Sequence, residues 1–184
     1  AHMSTNLPEI NNENNDISRQ GLSKYTGGVF YDLAGHMIDQ ICWIQGRPKR
    51  IKSFFMNSAS KNKNFSDNTI SIFEYEEAMA IIDIAAMETK PMARRFEVYG
   101  TKGSAIMEPF EPAESIRLCL EEAFDNYQTG VNNVQIDDVP RYDIPFELFI
   151  ERVNKNLKPI RNLDHEILVQ ETLMRAIGDI DEKI

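Results

Sequence analysis

The sequence is poor in cysteine, histidine and tryptophan, has no long apolar run, and carries far less positive than negative charge. Each shortage closes off a class of protein. The two cysteines, Cys42 and Cys119, sit in apolar surroundings and read as reduced core thiols, not a disulfide framework, which points to a cytoplasmic setting. No apolar stretch approaches the roughly 20 residues a membrane-spanning helix needs, and no signal peptide is visible. A net charge of −9 argues against nucleic acid as a partner, because phosphate contacts require a basic face. The one basic cluster, "RPKRIK" (47–52), alternates with Ile51 and reads as the polar side of a strand.

Several motifs are missing as well. No G-x-G-x-x-G follows a strand, so the chain has no dinucleotide fingerprint of its own. No serine stands on a nucleophile elbow. "GTKGS" (100–104) lacks the spacing of a phosphate loop and joins two strand patterns, which makes it a tight turn. The 184 residues suit one domain and are tight for two, and they are enough to bury a core without staples.

What is present reads as helix, then strands, then helices. Residues 1–20 form a polar, Asn-rich lead-in, expected to be partly loop or disordered, ahead of a substrate or catalytic domain over 21–184. Val29, Phe30, Leu33, Met37, Ile38, Ile41 and Ile44 recur at spacings of three and four, which predicts a helix over 29–45, stopped by Gly46 and Pro48. The period then changes to two. Strands are expected over 49–58, 69–76, 78–88, 94–100, the end of 100–109, 115–122 and 133–138. The short polar join at Glu76–Glu77 makes the second and third an antiparallel pair. Helical spacing returns over 145–156 and 163–178. This order predicts an α+β fold: an open, mostly antiparallel β-sheet with helices packed on one face. The other face is left for solvent or a second copy, so a homo-oligomer is expected there.

The chemistry concentrates in "GGVFYDLAGHMID" (27–39). Asp32 and His36 are four residues apart and share a helix face. A carboxylate beside an imidazole is the usual construction of a general base working near neutral pH. The same spacing also suits a buried histidine satisfied by a neighbouring carboxylate. Gly27 and Gly28 let another backbone or a flat ligand approach the start of the helix. Asp39 reads as the source of a structural hydrogen bond; no third ligand lies near His36 and Asp39, so no metal is expected. Lys24 and Tyr25 precede the helix and are candidates for lining a cleft. Arg94 and Arg95 point to opposite sides of a strand, and Arg95 is the candidate for a polar substrate. Trp43 falls at helical spacing and is expected in the core.

Taken together, "GGVFYDLAGHMIDQICWIQGRPKRI", "RRFEVYGTKGSAIMEP" and "DHEILVQETLMRA" occur in an order that resembles the C-terminal half of the glucose–fructose oxidoreductase / inositol dehydrogenase (Gfo/Idh/MocA) family, over about residues 21–178. Gly27, Gly28, Asp32, His36, Asp39, Gly46 and Pro48 carry the first motif. The resemblance implies a two-domain parent protein. Its N-terminal Rossmann domain, absent from this chain, would hold NAD or NADP. This chain would supply the site for a small polyol such as a sugar or cyclitol, and the oligomer interface. It further implies His36 as the acid or base for the substrate hydroxyl and Asp32 as its partner, with Gly27 and Gly28 against the cofactor. The lysine that joins this pair in the family would lie in the missing domain, so the isolated chain is expected to be inactive. Two other readings stay open: a non-catalytic regulator of the same superfamily that senses nucleotide or binds protein, and an oligomerisation domain.

Overall fold

The computed structural model describes residues 1–7, 22–137, 142–159 and 161–181. It divides the chain into two compact units, one of residues 1–94 and 165–184, the other of residues 95–164.

In the first unit a short 3-10 turn, Leu22–Lys24, leads into α1, Val29–Gln45. The boundaries of α1 are those the apolar spacing predicts. It buries Val29, Phe30, Leu33, Ala34, Met37, Ile38, Ile41 and Cys42. It ends at Gly46, whose positive φ turns the chain while its N–H closes on the Cys42 carbonyl at 2.9 Å. Three strands follow: β1 (Arg50–Met56), β2 (Asn68–Glu74) and β3 (Met79–Ala85), antiparallel in that order. Phe73, Ile82 and Ile84 point to the core side, where Phe55 meets Phe30 with ring centroids 5.5 Å apart. The opposite side of the same sheet exposes Phe54, Met56, Ile70, Met79 and Ile81. Alternation puts these side chains outward because the core takes only every second residue.

The first seven residues are an extended segment beside β3, with Met3 N–H donating to the Asp83 carbonyl (3.1 Å) and Thr5 N–H to that of Ala85 (2.8 Å). Met3 and Leu7 are buried. Two apolar residues with Thr5 between them suffice to hold this stretch once a strand edge is available, so the polar lead-in expected from residue 1 is paired structure over residues 1–7. The rest of that lead-in, residues 8–20, lies outside the described residues.

The β1–β2 connection is built on one carboxylate. Fully buried Asp67 accepts hydrogen bonds from the Ser58 N–H (2.7 Å) and hydroxyl (2.9 Å), the Ala59 N–H (2.8 Å) and the Ser60 N–H (2.5 Å). Burial pushes this carboxyl upward, but the bonds from Ser58, Ser60 and Ala59 outweigh it and hold it below the ordinary aspartate value. A depressed native value means the stabilisation is complete above the unfolded-state value of about 4 and is lost as pH falls through the native one. Asp67→Ala strands three backbone donors and is expected to lower stability by roughly 2–4 kcal/mol at pH 7. Urea denaturation should show that difference shrinking below about pH 4; a difference that stays constant down to pH 2 would exclude the charged network.

The second unit holds β4 (Phe96–Gly100), β5 (Gly103–Met107), β6 (Ser115–Leu120) and β7 (Gly130–Gln135), an antiparallel meander in chain order. Thr101 and Lys102 close the β4–β5 hairpin, so "GTKGS" is a two-residue turn. β7 begins three residues before the sequence pattern starts it. The strands therefore form two sheets, of three and four strands, within an α+β fold. Helix α2, Asp143–Asn154, has Pro145 in its first turn and no buried residue. Helix α3, Leu163–Ile177, runs back into the first unit, where it buries Thr172, Leu173, Ala176 and Ile177. No described helix is long and apolar enough to cross a membrane.

Candidate functional site

The side of α1 turned away from the sheet carries Tyr31, Asp32, Gly35, His36, Asp39 and Trp43, none of them buried. The core takes the stripe centred on Phe30, Leu33, Met37 and Ile41, and the 100° step per residue leaves the polar set on the opposite side. Trp43 belongs to this outward set. It is 56% exposed and not a core residue as expected, because it continues the line of Asp32, His36 and Asp39.

His36 is exposed and Asp32, in the first turn of α1, is half-buried. The reading of a buried, satisfied imidazole is thereby removed, since the ring is open to solvent. Of the three histidines in the chain the other two are committed elsewhere. His2 is held on both ring nitrogens, with Nδ1 2.5 Å from Asp83 Oδ2 and Nε2 3.1 Å from Glu88 Oε2. His165, on α3, has Nε2 2.7 Å from Asp39 Oδ1, and its ring meets Trp43 edge to face with centroids 5.3 Å apart. The Asp39–His165 pair joins α1 to α3 and gives Asp39 the structural bond expected of it. The sequence sets His165 far from Asp39, 126 residues apart, so no local pattern pairs them; the only signal is a second carboxylate on the His36 stripe.

Tyr25 stacks on Tyr31 with centroids 4.4 Å apart and planes 4° from parallel, forming a two-ring slab at the start of α1. Lys24 is exposed at the end of the 3-10 turn. Arg95 belongs to the second unit, where its Nε lies 3.6 Å from Glu97 Oε1.

The two glycines before α1 are filled from within the chain. A Cβ on Gly28 would lie 2.4 Å from the Ser66 carbonyl oxygen, and one on Gly27 2.8 Å from Ile177 Cγ2. Of the two occupants their small size allows, the structure supplies backbone and core side chain. Ser66 also caps the helix, accepting the Val29 N–H at 2.9 Å. With these spaces taken and Gly100–Gly103 spent on a hairpin, no glycine cradle for a pyrophosphate is present among the described residues.

Burial pushes the Cys42 thiol above its ordinary value; its hydrogen bond to the Thr172 hydroxyl opposes this and the Asp39 carboxylate adds to it. Among the described residues no three His, Cys, Asp or Glu side chains converge as metal ligands. The arrangement offers one exposed imidazole, a carboxylate one turn before it, and an aromatic slab beside them. That set suits binding a hydroxyl-bearing molecule and moving its proton.

Comparison with known proteins agrees on the fold. The family model described as GFO/IDH/MocA C-terminal domain matches residues 1–106. No curated protein matches the sequence. Among solved structures, a UDP-N-acetylglucosamine 3-dehydrogenase from Acidithiobacillus ferrooxidans superposes with a TM-score of 0.71 at 10% identity, covering 98% of this chain and 52% of its own. A protein from Desulfitobacterium hafniense, named as an NADPH-dependent oxidoreductase, gives 0.71 at 14% identity, covering 97% and 53%. The yhhX protein, named a probable oxidoreductase, gives 0.71 at 19% identity, covering 100% and 55%. The chain thus spans about half the length of these relatives.

Proposed function

Because this chain belongs to the GFO/IDH/MocA C-terminal domain family, we propose that it is the substrate-binding half of an NAD(P)-dependent dehydrogenase that oxidises a CH–OH group of a sugar, cyclitol or related polyol. The observation that carries the reading is the exposed His36 one helical turn after Asp32. Oxidising an alcohol to a ketone requires a base for the hydroxyl proton, and an exposed imidazole nitrogen can accept it. Asp32, one turn earlier, orients the ring and passes the proton on. Tyr25 and Lys24, at the start of the same helix, line the substrate site in this reading.

The hydride acceptor, NAD or NADP, belongs to the N-terminal domain of the full-length protein in this reading, since the described residues of this chain form no dinucleotide cradle. A solved relative named for 3-dehydrogenation of a nucleotide sugar and another named as NADPH-dependent support the reaction class. The isolated chain is inactive in this reading, because it holds half of a site. The free thiols of Cys42 and Cys119 suit a cytoplasmic location.

The test is the full-length protein, assayed with NAD and NADP over a panel of sugars and cyclitols, alongside nucleotide-binding titrations. Reduction of the nicotinamide with one panel member supports the reading. Tight nucleotide binding with no oxidation of any member would favour a nucleotide-sensing regulator instead.

The open side of the three-stranded sheet, with Phe54, Met56, Ile70, Met79 and Ile81 exposed, is the surface through which we expect two copies to pair. Light scattering should give twice the monomer mass, and Ile81→Lys should halve it. A monomer mass for the unaltered chain at high concentration would remove that role.

A further inference from the structure

We propose that Gly35 is the specificity-determining position of this site: the bare patch of α1 above it receives the ring of a neutral polyol, whose reacting hydroxyl then reaches His36. This inference rests on the dehydrogenase reading above and adds where the ring lies and which polyols it excludes.

Gly35 lies seven residues into a helix of 17 residues, a position where glycine is less stabilising than alanine. Neither conformation nor packing accounts for it. Unlike Gly27 and Gly28, it does not sit at positive φ, and a Cβ built on it meets nothing within 4 Å among the described residues. The missing side chain makes room on the outward side of α1 for something that is not part of the described chain.

The neighbours define what fits. On a helix surface, positions three and four away are adjacent. Gly35 therefore has Tyr31 and Asp32 one turn before it, Asp39 one turn after it, and His36 next to it. Tyr31 is backed by the parallel ring of Tyr25, which is 49% exposed. A pyranose or cyclitol has C–H faces that pack on aromatic rings and backbone, and an edge of hydroxyls that donate to carboxylates. With the ring over Gly35, its rim lies beside Asp32, His36 and Asp39. With Asp39 engaged by His165, the Asp32 carboxylate beside the patch repels an anionic substituent, so sugar acids and sugar phosphates are disfavoured relative to neutral polyols.

The experiment compares the full-length protein with its Gly35→Ala and His36→Ala variants, using the best neutral substrate from the panel and its uronic acid or phosphorylated counterpart. Gly35→Ala is expected to raise KM for the neutral polyol at least tenfold while leaving the NAD(P) dissociation constant unchanged. The same substitution in the isolated chain is expected to raise the thermal midpoint, because an open helix position gains from alanine. An unchanged KM, a lowered midpoint, or a weakened nucleotide affinity in place of the KM effect each overturns the inference. Preference for the anionic counterpart does so too. If Gly35→Ala is silent but His36→Ala abolishes turnover, only this inference fails. If His36→Ala is also silent, the dehydrogenase reading itself falls.

Discussion

His36→Ala in the full-length protein is expected to reduce kcat by about 10²–10⁴-fold, the usual contribution of a positioned general acid or base. The size follows from the lack of a substitute in His2, His165 or Cys42. His2 is tied on both nitrogens to Asp83 and Glu88, His165 is paired with Asp39, and the Cys42 thiol is buried and pushed toward its protonated form. Because the His36 ring is exposed, its removal should leave stability within about 0.5 kcal/mol, as for surface substitutions generally. Loss of activity can therefore be separated from loss of fold by measuring both on one preparation. Nucleotide affinity should be unchanged, since no contact with the dinucleotide is assigned to this residue. Added imidazole should restore part of the rate by occupying the vacated position. Turnover equal to that of the unaltered protein would show that the proton leaves by another route.

Gly28→Ala is expected to destabilise the chain by roughly 2–6 kcal/mol, combining about 1–3 kcal/mol of backbone strain with about 1–3 kcal/mol of overpacking. Gly28 has φ 51° and ψ −114°, a region that L side chains rarely adopt. Its Cβ would stand 2.4 Å from the oxygen and 2.7 Å from the nitrogen of Ser66. Those are backbone atoms, held by the Asp67 carboxylate network next to them and by the Val29 N–H, so no rotamer change relieves the clash. A loss of this size is a large part of the 5–15 kcal/mol typical of a domain. Urea denaturation measures it directly, and an unchanged midpoint would mean that the Ser66 backbone yields. Gly35→Ala makes the opposite change in the same helix, since there the added methyl meets open space among the described residues. Two glycines seven positions apart thus carry opposite signs, a contrast that backbone propensity alone does not produce.

The helix bearing the site was legible residue by residue. Apolar spacing places α1 at Val29–Gln45, and the four-residue interval puts Asp32 and His36 on one side of it, because both follow from the 3.6-residue period. The strand positions were legible for the same reason, with a period of two, but their division into two sheets was not. The N-terminal segment was not. Met3 and Leu7 are too few to signal a strand, and they become buried only because β3 presents an edge to pair with. The roles of Gly27 and Gly28 were half legible. Their small size announced a close approach, but only the folded chain shows that Ser66 and Ile177 make it. His165 and the outward position of Trp43 depend on how α3 lies against α1, which no local pattern encodes.

The sequence by itself determined the α+β class, the limits of α1 and the pairing of a carboxylate with an imidazole on one turn, because these depend on contacts within a few residues. Tertiary structure alone decided that His36 is open while His2 and His165 are engaged, that the space before the helix is filled, and that no described residue fills the space over Gly35. Those outcomes depend on which distant segments meet, and chain separations of 81 to 126 residues, as for His2 with Asp83 and His165 with Asp39, leave no periodic trace to read.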